Sequence, residues 1–133
     1  MAQPQQNPAE AKLSGQTIIG ELLRNMEFGR FELAYSVLLP CVFRVYLNPE
    51  DHARLNGVMD LIVEDATRAL RSRVAELNRR PGRMLRRSAK SPKEFKIACR
   101  DWIIDLVPDG EVQAGNVEIH SELAESLSRV TAA

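Results

Sequence analysis

The fold of this protein is decided by residues 43–55, which read FRVYLNPEDHARL. Apolar and polar side chains alternate from 43 to 47, in the two-residue period of a β-strand. Asn48 follows as a helix-capping residue, Pro49 suits the first helical position, and two acidic residues then favour the positive end of the helix dipole. The stretch therefore predicts a strand that leads directly into a helix.

The helix that starts at Asn48 is predicted to be long. It ends where the sequence reads Arg79-Arg80-Pro81-Gly82, because neither proline nor glycine continues a helix. Between these ends, apolar residues recur at helical spacing and form a stripe on one face. The stripe comprises Leu55, Met59, Ile62, Val63, Ala66, Leu70, Val74 and Leu77.

A shorter helix and a strand are predicted upstream. Ser14 can cap a helix whose apolar residues recur from 18 to 26, and Gly29 ends it. Residues 31–37 alternate with the period of a strand. Pro40 interrupts the ladder because it has no amide hydrogen, so either a hairpin or one long strand with a kink at Pro40 fits.

Two further strands are predicted toward the C-terminus. The apolar run 102–107 reads as a buried strand, and the turn formers at 108–110 lead to an antiparallel partner at 112–119. Gly115 shifts the alternation in that partner and indicates a bulge. Residues 121–130 fit either a short amphipathic helix or an exit segment.

These elements predict an α+β fold in the order helix, strand, helix, strand, strand. Two main helices cover one face of a small, mostly antiparallel sheet of three or four strands. A chain of 133 residues can bury one core but hardly two. We therefore expect a disordered tail at 1–13 and a single domain at 14–130, with a basic connector at 79–98.

The composition restricts the classes of function. Eighteen basic and eighteen acidic residues give a formal net charge of zero, so any binding to nucleic acid or to an anionic membrane would have to be local. The segment Met1 to Glu10 is polar and lacks the apolar region of a secretion signal, and no uncharged apolar run approaches the length of a membrane span. These features predict a cytoplasmic protein without membrane insertion.

Reactive side chains do not form a recognisable site in the sequence. Cys41 and Cys99 lack metal or redox spacing and are expected to be reduced, partly buried thiols. His52 is expected to be solvated on a helix, and His120 to face away from the core. No phosphate-binding loop, calcium loop or zinc pattern is present. The sequence thus predicts no catalytic residue, no metal, no cofactor and no small-molecule substrate, and the protein is not expected to be an enzyme.

A basic segment at 79–96 is the strongest anomaly of composition. Its cations can neutralise several phosphates, which makes nucleic-acid binding an alternative function, although a solvated connector explains the same pattern. The segment from Asp101 to Glu125 is acidic and has no lysine or arginine. The candidate basic patch comprises Arg79, Arg80, Arg83, Arg86, Arg87, Lys90, Lys93 and Lys96.

The sequence resembles one specific family. The residues that carry the resemblance are the helix at 21–27, which reads ELLRNME, the strand before Leu39-Pro40, and the stretch 43–55. The later segments Asp109-Gly110 and 115–119 look like the closing hairpin of the same domain. The chain is thereby similar to the N-terminal domain of unknown function of bacterial FhaA-type proteins, which precedes a long linker and a forkhead-associated, phosphothreonine-reading domain.

The resemblance implies a non-enzymatic scaffold module in bacterial Ser/Thr-kinase signalling that docks proteins or self-associates. Sheet edges that a small domain leaves uncovered invite strand addition, so a homodimer is a concrete form of this expectation. This sequence lacks the family's extra N-terminal helix and adds the basic insertion between Arg79 and Lys96. No forkhead-associated domain falls within the 133 residues, so phosphothreonine binding transfers to no residue here. The family supplies no catalytic residues.

Overall fold

Three helices and six short strands make up the part of the chain that the computed structural model describes, which is residues 12–79 and 92–125. A single 3-10 turn, Asn56–Val58, separates the second helix from the third. The elements are α1 (Gly15–Phe28), β1 (Phe31–Glu32), β2 (Ser36–Leu39), β3 (Val42–Leu47), α2 (Pro49–Leu55), α3 (Met59–Asn78), β4 (Glu94–Ile97), β5 (Ile103–Pro108) and β6 (Val117–Glu122).

The strands form two three-stranded sheets, and each sheet is mixed. In the β1 sheet the order is β1-β2-β4, with β1 antiparallel and β4 parallel to β2. In the β3 sheet the order is β5-β3-β6, with β5 parallel and β6 antiparallel to β3. The α+β class is confirmed. The predicted hairpin between residues 102–107 and 112–119 is wrong, because β3 lies between the two strands.

The two sheets meet at Pro40-Cys41, where the chain leaves β2 and enters β3. A kink at Pro40 was one of the two alternatives, and the structure shows that the strands on either side of it belong to different sheets. Pro40 lacks the amide hydrogen that a continuous ladder would need, which allows this change of sheet. Both sheets contribute to one apolar core.

Cys41 and Cys99 form a disulfide at this junction, with their Cα atoms 6.1 Å apart. The expectation of two reduced thiols is therefore wrong. The parallel register of β2 and β4 sets Leu39 beside Ile97, and the same register two residues further on sets the cysteines opposite each other. This proximity was not predicted from the sequence, because the two cysteines have a sequence separation of 58 and the strand β4 was not predicted.

The core lies between α1, α3 and the inner faces of both sheets. On α1 the buried residues are Ile18, Leu22 and Met26, which confirms the predicted stripe of that helix. The Ser14 side chain accepts the Thr17 N–H and caps the helix as expected. The other fully or largely buried apolar residues of the cluster are Leu13, Leu39, Phe43, Val45, Leu47, Leu55, Ile62, Ala66, Leu70 and Leu77.

Several predicted boundaries differ from the structure. The long helix is interrupted at Asn56–Val58, and the predicted strand 31–37 is broken by a turn in which the Leu33 N–H donates to the Ser36 oxygen. β4 lies inside the segment that was expected to be connector. Leu13, which the sequence placed in the tail, is 2% exposed and belongs to the core.

The ends of the chain fall largely outside the described residues. Residues 1–11 of the predicted tail, residues 80–91 of the predicted connector and residues 126–133 are among them. Of the segment 121–130, which fitted a helix or an exit, the first two residues belong to β6.

In the described ranges, no helix has both the length and the apolar character that a membrane span requires.

Candidate interaction surface

Four large apolar side chains are exposed within eight residues of one another in sequence. Phe28 is 90% exposed, Phe31 51%, Leu33 41% and Tyr35 87%. We call these four residues the aromatic surface. The whole chain has only seven phenylalanine, tyrosine and tryptophan residues, so three of the seven are exposed here. Exposed apolar patches often mark interaction sites, and four such side chains this close in sequence make the segment a candidate for one.

The end of α1 brings Phe28 to the surface. Gly29 stops the helix and its N–H donates to the Asn25 carbonyl at 3.0 Å. A Cβ atom at position 29 would lie 2.9 Å from Cγ of Pro40, so the chain can turn this closely past Pro40 only with glycine. The turn directs the following residues into β1, at one edge of the β1 sheet.

The pleat of the sheet separates the apolar side chains of β1 from its charged one. Phe31 lies opposite Leu38, and Glu32 lies opposite Val37. Since Val37 is buried, Glu32 is on the inner side of the sheet and Phe31 is on the outer side. Leu33, two residues after Phe31, shares the outer side. The outer face of β1 is therefore apolar.

The inner side of β1 is charged. Lys93 Nζ donates to Oε1 of Glu32 at 2.9 Å. This hydrogen bond and the positive charge of Lys93, with a smaller contribution from Arg30, lower the pKa of Glu32 from its ordinary value of 4.5. The β1 segment thus presents two faces, one of large apolar groups and one of alternating charge.

The predicted basic patch is only partly visible. Arg79 ends α3, where its N–H donates to the carbonyls of Ala75 and Glu76. Lys93 pairs with Glu32, and Lys96 lies 4.0 Å from a carboxylate oxygen of Glu94. The remaining five residues, Arg80, Arg83, Arg86, Arg87 and Lys90, lie outside the described residues, so phosphate binding by the segment stays a prediction.

The histidines and cysteines have structural partners. His52 is half-buried rather than solvated, and its Nε2 lies 3.3 Å from the Leu106 carbonyl. His120 is exposed as expected and packs edge-on against Tyr46, with ring centroids 5.1 Å apart. Both cysteines are in the disulfide. Within residues 12–79 and 92–125, no group of three His, Cys, Asp or Glu side chains could hold a metal ion.

An open, polar groove lies between α1 and the turn that leads into β6. Its volume is about 570 Å³, and its charged lining residues are Glu21, Glu111 and Glu118. Neither histidine nor either cysteine lines it. The other polar side chains of the lining are the hydroxyl of Thr17 and the amides of Gln113 and Asn116.

Comparison with known proteins gives a fold relative. No protein-family model matches this chain, and no curated protein matches it. Among solved structures, the N-terminal domain of Rv0020c superimposes with a TM-score of 0.62 over 81% of this chain and 70% of that chain. The two chains share a fold. Their sequence identity is 15%, so the likeness concerns the fold alone.

The fold relative agrees with the resemblance in the sequence. Rv0020c is a forkhead-associated protein of the FhaA type, and the matched part is its N-terminal domain. The sequence did not predict the aromatic surface, because the alternation of Phe31, Leu33 and Tyr35 was interpreted only as the period of a strand. The signal that could have revealed it is the density of aromatic residues immediately after the helix-ending Gly29.

Proposed function

We propose that this chain is a non-enzymatic protein-interaction module of bacterial Ser/Thr-kinase signalling, which docks proteins through the aromatic surface. The single observation that carries the proposal is the exposure of Phe28 and Tyr35, at 90% and 87%. Large aromatic side chains are the groups that supply most binding energy in protein interfaces. The FhaA-type fold relative supports the signalling context.

The engaged state of the reactive side chains supports the non-enzymatic part of the proposal. Catalysis by a nucleophile and a base needs the two groups within hydrogen-bonding reach of each other. Here His52 faces a backbone carbonyl, His120 packs on Tyr46 and the thiols are oxidised. Binding therefore remains the activity that these residues favour.

A cytoplasmic location is part of the same proposal, and the disulfide is the observation that weighs against it. Cytosolic proteins seldom keep disulfides, because cellular thiols reduce them. Alkylation of intact cells before lysis would report the state of Cys41 and Cys99. Alkylated cysteines would show that the thiols are reduced in the cell and would support a cytoplasmic protein. Cysteines that escape alkylation because they form the disulfide would indicate an oxidising compartment.

The docking proposal is tested by capture of proteins from a cell lysate. The double variant Phe28→Ser/Tyr35→Ser should lose a captured protein that the wild-type chain retains. Leu61→Ser is a matched control, because Leu61 is another exposed apolar residue, at 61%, on α3. Equal capture by the wild type and the Phe28/Tyr35 variant would overturn the proposal.

Nucleic-acid binding through residues 79–96 is the alternative function, and binding assays with the wild-type chain can test it. Affinity for RNA or DNA should fall steeply with salt if the cations neutralise phosphates. Of the cations that the structure describes, Lys93 and Lys96 each lie near a carboxylate, which reduces what they offer to phosphate. No binding at low salt would end this alternative.

A further inference from the structure

Within residues 12–79 and 92–125 the two sheets have four edges, and three of them carry a feature that opposes strand addition. On β4, the side-chain amide of Asn78 donates to the Phe95 carbonyl at 3.0 Å and accepts the Phe95 N–H at 2.8 Å. This side chain occupies the edge groups that an added strand would use. On β5, His52 lies against the Leu106 carbonyl. On each of these two edges, a side chain from a helix, α3 or α2, therefore engages a backbone group of the strand.

The edge strand β6 is protected by charge. Its exposed side chains include Glu118 and Glu122, and the strand has no lysine or arginine. Pairing with a second copy of β6 would therefore place glutamate side chains of one copy near those of the other. Like charges on neighbouring strands are destabilising. Charged side chains on an edge are a common means by which proteins prevent strand addition.

Within the described ranges, no residue forms a hydrogen bond to the outward backbone groups of β1, the remaining edge strand. The Leu33 N–H donates to the Ser36 oxygen at 2.8 Å, so these residues are a hydrogen-bonded pair of the antiparallel ladder. Such pairs alternate with non-bonded pairs. The N–H and C=O of Glu32, the next residue along the ladder, therefore point away from β2 and toward the open side of the sheet.

The charges on β1 are self-complementary. Arg30 and Glu32 are two residues apart, so they lie on the same side of the extended chain. If two copies pair antiparallel about a two-fold axis at Phe31, Arg30 of each copy lies opposite Glu32 of the other. In this register, the backbone groups of Glu32 in one copy form hydrogen bonds with those of Arg30 in the other copy. This pairing requires the Glu32 N–H and C=O to point outward from the sheet, as they do.

The same register brings the apolar outer faces together. Phe31 of one copy lies directly opposite Phe31 of the other, in the non-bonded position where side chains are closest. Leu33 becomes the diagonal neighbour of the opposite Phe31. Aromatic and aliphatic cross-strand pairs stabilise antiparallel strands. Charge on one side and apolar contact on the other thus select one alignment.

We propose that the partner of the β1 edge is a second copy of this chain, joined in an antiparallel two-fold pairing centred on Phe31. This inference rests on the proposed function and gives an identity to the partner of Phe31 and Leu33, two residues of the aromatic surface. The ladder is short, and interfaces that bury less than about 1,200 Å² in total are weak. The dimer is therefore reversible and depends on concentration.

Charge exchange tests the register. In Arg30→Glu, two glutamates face the two native glutamates across the interface, and in Glu32→Arg the same positions hold four arginines. Each variant alone should dimerise about tenfold or more weakly than the wild type. An equimolar mixture of the two variants places glutamate opposite arginine at both contacts, so sedimentation should show recovery of the dimer.

A third variant tests the backbone pairing. Glu32→Pro removes the outward N–H at position 32 but leaves the bonds of Phe31 and Leu33 to β2, and proline is tolerated on an edge strand. This variant should be monomeric at concentrations where the wild type is dimeric. Glu32→Arg also places an arginine beside Lys93, where the native chain has an ion pair. The melting temperature of every variant is therefore measured to confirm that it folds.

The outcomes separate this inference from the proposed function. A monomeric wild type across about 1 μM to 1 mM would overturn the dimer. A dimer that both single charge variants retain would overturn the register. If the wild type is monomeric while capture of another protein still depends on Phe28 and Tyr35, the docking function stands and the second copy is excluded as its partner.

Discussion

The carboxylate of Asp51 accepts a hydrogen bond from the backbone N–H of Gly115, with Oδ2 and N 2.8 Å apart. Asp51 is 6% exposed, and its other oxygen lies 3.3 Å from Nη2 of Arg54. Arg54 in turn donates to the Leu13 carbonyl at 2.8 Å. One buried carboxylate at the start of α2 therefore connects the turn before β6 with the segment that precedes α1.

Asp51→Ala is expected to destabilise the fold by about 1–3 kcal/mol, because it leaves the partly buried Gly115 N–H without its acceptor. Glu50→Ala is the matched control: Glu50 is the exposed neighbour in the same helical turn, and its loss should cost only about 0.3–1 kcal/mol through the helix dipole. Urea unfolding measures both. Equal losses for the two variants would contradict the structural role of Asp51.

Gly115→Ala is expected to cost about 1–2 kcal/mol, because Gly115 has a φ of 88° and a side chain is strained in this left-handed region. Gly110→Ala is the control, since nothing lies within 4 Å of a Cβ at position 110. Thermal unfolding of the two variants distinguishes them. A neutral effect of Gly115→Ala would show that this turn can adopt another conformation.

The sequence predicted those parts of the fold that depend on local signals. Ser14, Gly29 and Asn48 act as the caps that their side chains and positions suggest, because a helix end is settled within a few residues. The pairings were not predictable in the same way. That β3 separates β5 from β6, and that β2 lies beside β4, depends on contacts between segments about 60 to 80 residues apart.

The candidate surface was predicted less well than the fold. Alternation in Phe31, Leu33 and Tyr35 has the period of a half-buried strand, and the sequence does not state which side is covered. The turn at Leu33–Ser36 ends β1 after two residues and leaves these side chains exposed. Most of the basic patch lies outside the described residues, and its role stays a prediction.

Reduction of the disulfide between Cys41 and Cys99 is expected to lower the free energy of unfolding by about 2–4 kcal/mol. The crosslink closes a loop with a sequence separation of 58 residues, which restricts the unfolded chain. The experiment compares urea unfolding with and without dithiothreitol. The double variant Cys41→Ala/Cys99→Ala should be insensitive to the reductant, and an equally insensitive wild type would show that the bond is absent in solution.

The ion pair between Glu32 and Lys93 predicts a pH dependence. The pKa of Glu32 is lower in the folded state than in the unfolded chain. The stabilisation from this ion pair is therefore fully present at a pH above the pKa of the unfolded chain, and it is lost as the pH falls through the lowered pKa of the folded state. Carbon NMR titration of Glu32 should give a midpoint below 4.5, and Lys93→Ala should raise it. Lys96→Ala, on the other face of the strand, should not change it. A midpoint unaffected by Lys93→Ala would contradict the assignment.

Self-pairing of the β1 edge is tested most directly by NMR spectra recorded over a range of protein concentrations, with every backbone amide observed. If the β1 edge pairs as proposed, the shifts of Arg30 to Tyr35 change with concentration, and hydrogen exchange of the Glu32 N–H becomes slower. Self-pairing would be contradicted by shifts that leave these residues unchanged and concentrate instead in the basic segment 79–96.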